Sequence, residues 1–171
     1  MRMISIDPGT LTCGVAVWDI DDKSFIINNI ETFTIAISND IALEFRLYKL
    51  YETLHKLVKD IEPVQYIHES AFMNRFRPQA YGPIYAAIFM IRKAYIDFNP
   101  MSGLFAYPPK SIKSVVSTGN ADKNDMFEAV SKLVELSCFL KGHEDEHQID
   151  AMAIGYVHLL NIRAQPELLI V

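Results

Sequence analysis

Only two cysteines, Cys13 and Cys138, occur among 171 residues. Two thiols at that separation build neither a disulfide framework nor a spaced set of zinc ligands. Both are expected to be buried thiols of a reducing compartment. Long apolar runs are also missing. The most apolar stretch, YGPIYAAIFMI, contains Pro83 and stops at Arg92 and Lys93, too short to cross a bilayer. The N-terminal residues enter a strand-like pattern at once, with no charged, then apolar, then small-residue leader, so no membrane partner is expected and the expected location is cytoplasmic. Positive charge is scarce as well: 16 Lys and Arg stand against 21 Asp and Glu, a net charge of −5. That sum argues weakly against nucleic acid as a partner, but the distribution of charge matters more than its sum. Internal repeats, low-complexity tracts and linker-like segments are absent. What is present is ordinary globular material, 50% hydrophobic and 22% charged, and it predicts one domain over residues 1–171.

The patterning predicts an α/β protein. RMISID reads as a short buried strand ending at Asp7, before a Pro8–Gly9 turn. CGVAVWDI and SFIINNIETFTI follow as strands joined at Asp21–Asp22, which gives an antiparallel meander. A helix follows, capped by Ser38, Asn39 or Asp40. Its apolar stripe is Ile41, Phe45, Tyr48, Tyr51, Leu54, Val58 and Ile61, and Pro63 ends it. VQYIHES is a fourth strand with Glu69 near its end. A second helix covers about residues 79–97, GLFAY is a fifth strand, and PPKSIKSVV is a short helix opened by its prolines. DKNDMFEAVSKLVELSCF reads as one helix and the last spans about 145–162. The order is βββαβαβ and then helices, a mixed five-stranded sheet with helices on both faces.

Charge is unevenly spread. Residues 71–123 contain seven basic side chains (Arg75, Arg77, Arg92, Lys93, Lys110, Lys113 and Lys123) and two acids, Asp97 and Asp122. This leaves the rest of the chain strongly acidic. Phe72 and Phe76 lie among these cations, a mixture that suits unstacked bases and a phosphate backbone. Core packing for the aromatics and a solvated helix face for Lys113 are the alternatives left open.

A literal H-E-x-x-H occurs at His143–His147. Two histidines four apart share a zinc ion only when both sit on one helix. The apolar face formed by Ile149, Met152, Ala153, Tyr156, Val157 and Leu160 places the start of the last helix near Glu144–Glu146. His143 then lies before the helix, on an exposed loop, and the zinc reading loses its geometry. Glu144, Asp145 and Glu146 are what a helix N-terminus favours.

Another set of residues has better support. Asp7 ends an apolar strand and Glu69 ends another. An acid in such a strand is paired, hydrogen-bonded or metal-bound. His147 and Asp150 are three residues apart, on one face of the last helix. Three carboxylates and one imidazole suit two Mg²⁺ or Mn²⁺ ions, which activate water against a phosphodiester. Each residue alone is more simply read as structural; the four together point to a metal-dependent site.

Around these residues the chain resembles the RuvC-type Holliday junction resolvases of the ribonuclease H-like superfamily. ISIDPGTLTCGVAV resembles the family's opening strand and hairpin. Glu69-x-x-Phe72, the segment YPPKSIKSVVSTGNADKNDM and the closing HQIDAMAIG match its later motifs in order, over nearly the whole chain. The resemblance implies a ribonuclease H-like fold and a homodimer that nicks branched DNA. It implies two metal ions held by Asp7, Glu69, His147 and Asp150. It also implies an aromatic at the junction, Phe72, and lysines at the DNA backbone, Lys113 and Lys123. With Arg75, Arg77 and Lys110 these form the expected DNA-binding set. Phage and viral relatives extend the substrate range to other branched DNAs and the location to a host's cytoplasm. Two departures stand out: Ser117 replaces the first glycine of a Gly-x-Gly-x-Ala-x-Lys pattern, and Asp125 replaces a glutamine. A nuclease for RNA or RNA–DNA hybrids, and a branched-DNA binder that does not cut, are the competing functions. An actin-type ATPase shares the Asp7–Thr10 turn but needs a much longer chain.

Overall fold

The computed structural model describes residues 1–72, 78–100, 103–117 and 123–169, the side chains of 123, 124 and 169 excepted. Five strands form one mixed sheet. They are β1 (Arg2–Asp7), β2 (Thr12–Ile20), β3 (Ile27–Ala36), β4 (Gln65–Glu69) and β5 (Leu104–Tyr107), in spatial order β3-β2-β1-β4-β5. The first three form the predicted antiparallel meander, with Asp7 opposite Gly14. β4 and β5 run parallel to β1. Their connections therefore need crossovers, which helices α1 (Leu43–Ile61) and α2 (Tyr81–Ile96) supply.

Alternation along β1 and β4 divides the core between the two faces. Ile4, Ile6 and Tyr66 pack with Leu50, Leu54, Val58, Ile91 and Tyr95 of α1 and α2. Met3 and Ile67 pack on the other face with α3 (Pro109–Val116), α4 (Lys123–Lys132), α5 (Val134–Ser137) and α6 (Glu146–Ala164). Helices thus cover both faces, as the sequence predicts. Helix α6 is sandwiched between the sheet and α3–α5, so it is buried nearly all round, from Ile149 to Ile162.

Contacts with almost no side chain between them seat α6 on the sheet. The His147 carbonyl lies where a Cβ on Gly14 would be, 1.9 Å from that position. Ser5 Oγ donates to the Ala151 carbonyl at 2.6 Å and accepts from Trp18 Nε1 at 2.8 Å. Trp18 in turn packs its indole against Gly155. Further along, His158 accepts at Nδ1 from the Tyr107 hydroxyl (2.8 Å) and donates from Nε2 to Gln65 Oε1 (2.7 Å). Burial holds this imidazole down at about 4, so it stays neutral and ties α6 to β4 and β5.

Four local expectations are corrected. Helix α1 begins at Leu43 with Ala42 as its N-cap and no side-chain cap. Ser38 and Asp40 bond to each other in the loop before it, because a local side-chain bond competes with capping. Phe45 and Tyr48 face solvent at 66% and 52% exposure, while Leu50 takes a core position. The helix is rotated away from the predicted stripe. The helix expected over residues 122–139 is two, α4 and α5, interrupted at Leu133, whose extended backbone (ψ 111°) caps α5. Of the thiols, Cys13 is buried and Cys138 is exposed.

Candidate active site

Asp7 and Glu69 are the last residues of β1 and β4, neighbouring parallel strands in register at Ile6 and His68. Strand parity puts both carboxylates on the face that holds Met3, Ser5, Gln65 and Ile67, the face covered by α6. Asp7 is buried and Glu69 half-buried. Helix α6 brings His147 and Asp150 to the same end of the sheet, because its first turn lies against β2 at Gly14. Its start is fixed by a capping box. Asp145 accepts from the Gln148 backbone N–H, Gln148 accepts from the Asp145 N–H, and Thr34 donates to Asp145 at 2.5 Å.

His147 Nδ1 bonds Asp7 Oδ2 at 2.7 Å, and His147 Nε2 bonds Thr12 Oγ1 at 2.8 Å. The Asp7 carboxylate favours the protonated ring and holds the His147 pKa above that of a free imidazole. Glu69 and Asp150 shift upward too. Burial, together with the charges of Asp7 and Asp150, pushes Glu69 up to about 8. Burial and the Asp7 charge push Asp150 up to about 6. Lys113 offsets part of both shifts. It lines a cavity of about 30 Å³ with Glu69, Asp150, Pro109, Ile112, Met126 and Ile154, enough for a water-sized guest.

The site is thus a group of acids crowded into a half-dry cleft with Lys113 beside it. Among the described residues, no three His, Cys, Asp or Glu side chains form a ready-made cation cage. The donor set still fits a hard divalent cation. Carboxylate oxygens and one imidazole are the ligands such ions take. A bound cation would also offset the burial and the neighbouring negative charge that push the Glu69 pKa up.

Among the residues expected from the sequence, Asp7, Glu69, His147 and Asp150 meet at one end of the sheet. Phe72 lies just past Glu69 and is 69% exposed, not core. Lys110 is exposed on the first turn of α3. Lys113 is half-buried and turned toward Glu69 and Asp150, so the solvated-face reading fails and it belongs at the carboxylates. Arg75, Phe76 and Arg77 lie outside the described residues, as does the side chain of Lys123. His143 is exposed and three residues ahead of the helix, so the H-E-x-x-H is not a zinc motif. Thr12 was missed. Its link to His147 joins residues 135 apart, and no local pattern encodes it.

The family model and the curated relatives carry one name. The family model described as "Crossover junction endodeoxyribonuclease RuvC" matches residues 3–158. Curated relatives bearing that name include those of Finegoldia magna and Chlamydia pneumoniae. The first is 27% identical over 164 residues, covering 93% of each chain. The second is 28% identical over 161 residues, covering 92% of each. Among solved structures, Thermus thermophilus RuvC superposes with a TM-score of 0.76 at 20% identity, over 96% of both chains. The same protein in complex with Holliday junction substrate also gives 0.76, at 17% identity, over 96% of this chain and 97% of that one. The fowlpox virus Holliday junction resolvase gives 0.63 at 12% identity, over 94% of this chain and 99% of that one. The fold is the ribonuclease H-like fold of these resolvases.

Proposed function

The chain belongs to the RuvC family of crossover junction endodeoxyribonucleases, and on that premise we propose how its residues 1–171, as a single nuclease domain, resolve four-way DNA junctions. Asp7, Glu69, His147 and Asp150 hold the divalent metal, two Mg²⁺ or Mn²⁺ ions in the full site. Bound there, the cations supply activation of water and stabilisation of charge on the phosphodiester. The observation that carries this reading is the meeting of two parallel strand ends with the first turns of α6, which sets three acids and an imidazole in one half-buried cleft.

The protein's own groups have separable tasks. Without metal, Asp7 holds His147 through Nδ1. Glu69 and Asp150 are the acids whose pKa values burial and the Asp7 charge raise, a strain that a cation would relieve. Lys113 sets a positive charge beside them, where it also meets a phosphate oxygen. Phe72, projecting beyond β4, stacks on a base unpaired at the branch point. Arg75, Arg77, Lys110 and Lys123 hold the DNA backbone. The working unit is a homodimer, which cuts two strands of one junction. The outer face of α2 supports this: Tyr85, Phe89 and Ile96 are exposed and line a groove of about 630 Å³.

Incubation of the protein with a labelled four-way junction, a flap, a linear duplex and an RNA–DNA hybrid, each with and without Mg²⁺, tests the function. Paired nicks in the junction that require Mg²⁺ are expected. Preferred cutting of the hybrid, or no metal-dependent cutting of any branched DNA, overturns the proposal. Asp7→Asn abolishes cutting and retains junction binding in a gel-shift assay; normal cutting by this variant removes the site assignment.

A further inference from the structure

We propose that Thr12 is a positioning residue of the metal site, acting through His147; the inference rests on the ligand assignment above. The two ring nitrogens of His147 face different surroundings. Nδ1 points at Asp7, the carboxylate whose field reaches both Glu69 and Asp150. Nε2 faces the Thr12 hydroxyl. A cation held beside Asp7 would meet the ring at Nδ1, which would then present a lone pair. The ring's remaining hydrogen then sits on Nε2, where Thr12 Oγ1, 2.8 Å away, accepts it. Such outer partners fix the tautomer and orientation of a ligating histidine.

A threonine suits the position because its hydroxyl both donates and accepts. In the metal-free arrangement Asp7 accepts the Nδ1 hydrogen, and the hydroxyl accepts from Nε2 when the ring is protonated or donates to it when the ring is neutral. With Nδ1 on a cation, the same hydroxyl would accept from Nε2–H by rotating its own hydrogen away. The hydroxyl is held firmly in place. Thr12 is the first residue of β2, paired with Ala36 of β3, and the preceding Leu11 carbonyl accepts from the Ile37 N–H at 2.8 Å. Glu146, 3.6 Å from Nε2, is the other group near this nitrogen and lies beyond normal hydrogen-bond length.

The test titrates Mn²⁺ calorimetrically into the full-length wild-type protein and into Thr12→Val and Thr12→Ser, without DNA. In parallel, the His147 ring nitrogens are observed by ¹⁵N NMR with and without Mg²⁺. Valine keeps the shape and strand preference of threonine, so unfolding midpoints are expected to agree. Thr12→Val should weaken Mn²⁺ binding on the order of 10-fold, and Thr12→Ser should restore it. In the Mg²⁺-loaded wild type the ring should carry its proton on Nε2, and Thr12→Val should lose that slowly exchanging signal. Equal affinities for wild type and Thr12→Val, or equal losses in valine and serine variants, overturn the role of Thr12 alone. No cation binding by the wild type overturns this inference and the metal site together.

Discussion

Replacing Gly155 with alanine sets two physical effects against each other, and the structure decides the sign. In an isolated helix interior the change is stabilising by about 1 kcal/mol, because alanine loses less backbone entropy than glycine. In this protein the new methyl would lie 2.4–2.5 Å from three atoms of the Trp18 indole, where ordinary contact begins at 3.4 Å. Trp18 is fully buried and its Nε1–H is held by Ser5, so the ring has nowhere to go. Overpacking costs about 1–3 kcal/mol, and a broken Trp18–Ser5 bond adds about 1 kcal/mol. The net expectation is a loss of about 1–3 kcal/mol. For a chain of this size that lowers the melting temperature by roughly 3–10 °C. Urea denaturation and calorimetry of Gly155→Ala measure it, with Gly82→Ala as control. No atom lies within 4 Å of a methyl at Gly82, so the control should be neutral or slightly stabilised. Because α6 carries His147 and Asp150, the Gly155→Ala protein should also cut junctions more slowly than its folded fraction accounts for. If Gly155→Ala is as stable as wild type or more so, α6 is not seated on Trp18 and the account of the site's assembly is wrong.

Two further outcomes follow from the same contacts. The folded-state pKa values of Glu69 and Asp150 lie at about 8 and about 6, above their unfolded values, whereas His158, held at about 4, opposes them in more acidic solution, so the folded protein binds more protons than the unfolded chain between about pH 6.5 and 8. Metal-free stability should therefore fall as pH rises through that window and level off above it, with Mg²⁺ recovering most of the loss at pH 8; stability that rises over the window in urea titrations contradicts the crowded-carboxylate description. Asp145→Ala removes the capping box of α6 and the Thr34 bond, which should cost about 1 kcal/mol in urea denaturation, and an unchanged midpoint would show that the cap does not hold the helix start.

How much of the protein is legible in the sequence depends on the distance over which each signal acts. The ends of β1 and β4 are local: apolar residues alternate with Ser5 or run up to an acid, and a Pro8–Gly9 turn or a polar loop follows. The start of α6 is local too, since the acids, Gln148 and the apolar face all lie within a few turns. That is why the helix start is placed so that His143 precedes it and His147 and Asp150 lie on it. The errors arise where a neighbour outside the segment decides. The rotation of α1 is set by packing against the sheet and α2, so Phe45 and Tyr48, which continue the stripe in sequence, face solvent. The break at Leu133 lies within an uninterrupted helical pattern.

Sequence by itself determined the five strands, most of the helices, the family and the four metal-site candidates, because strand ends, the start of α6 and motif order are written in neighbouring residues. Tertiary structure alone decided which groups act on those candidates. Thr12 meets His147 across 135 residues, and Lys113 turns from a solvated helix face to Glu69 and Asp150. Gly14, Ser5 and Gly155 let α6 come close enough to bring its side chains to the strand ends. These are relations between surfaces that touch only when the sheet and α6 pack. Their physical basis is the space left or filled between two backbones, which no pattern along one chain segment records.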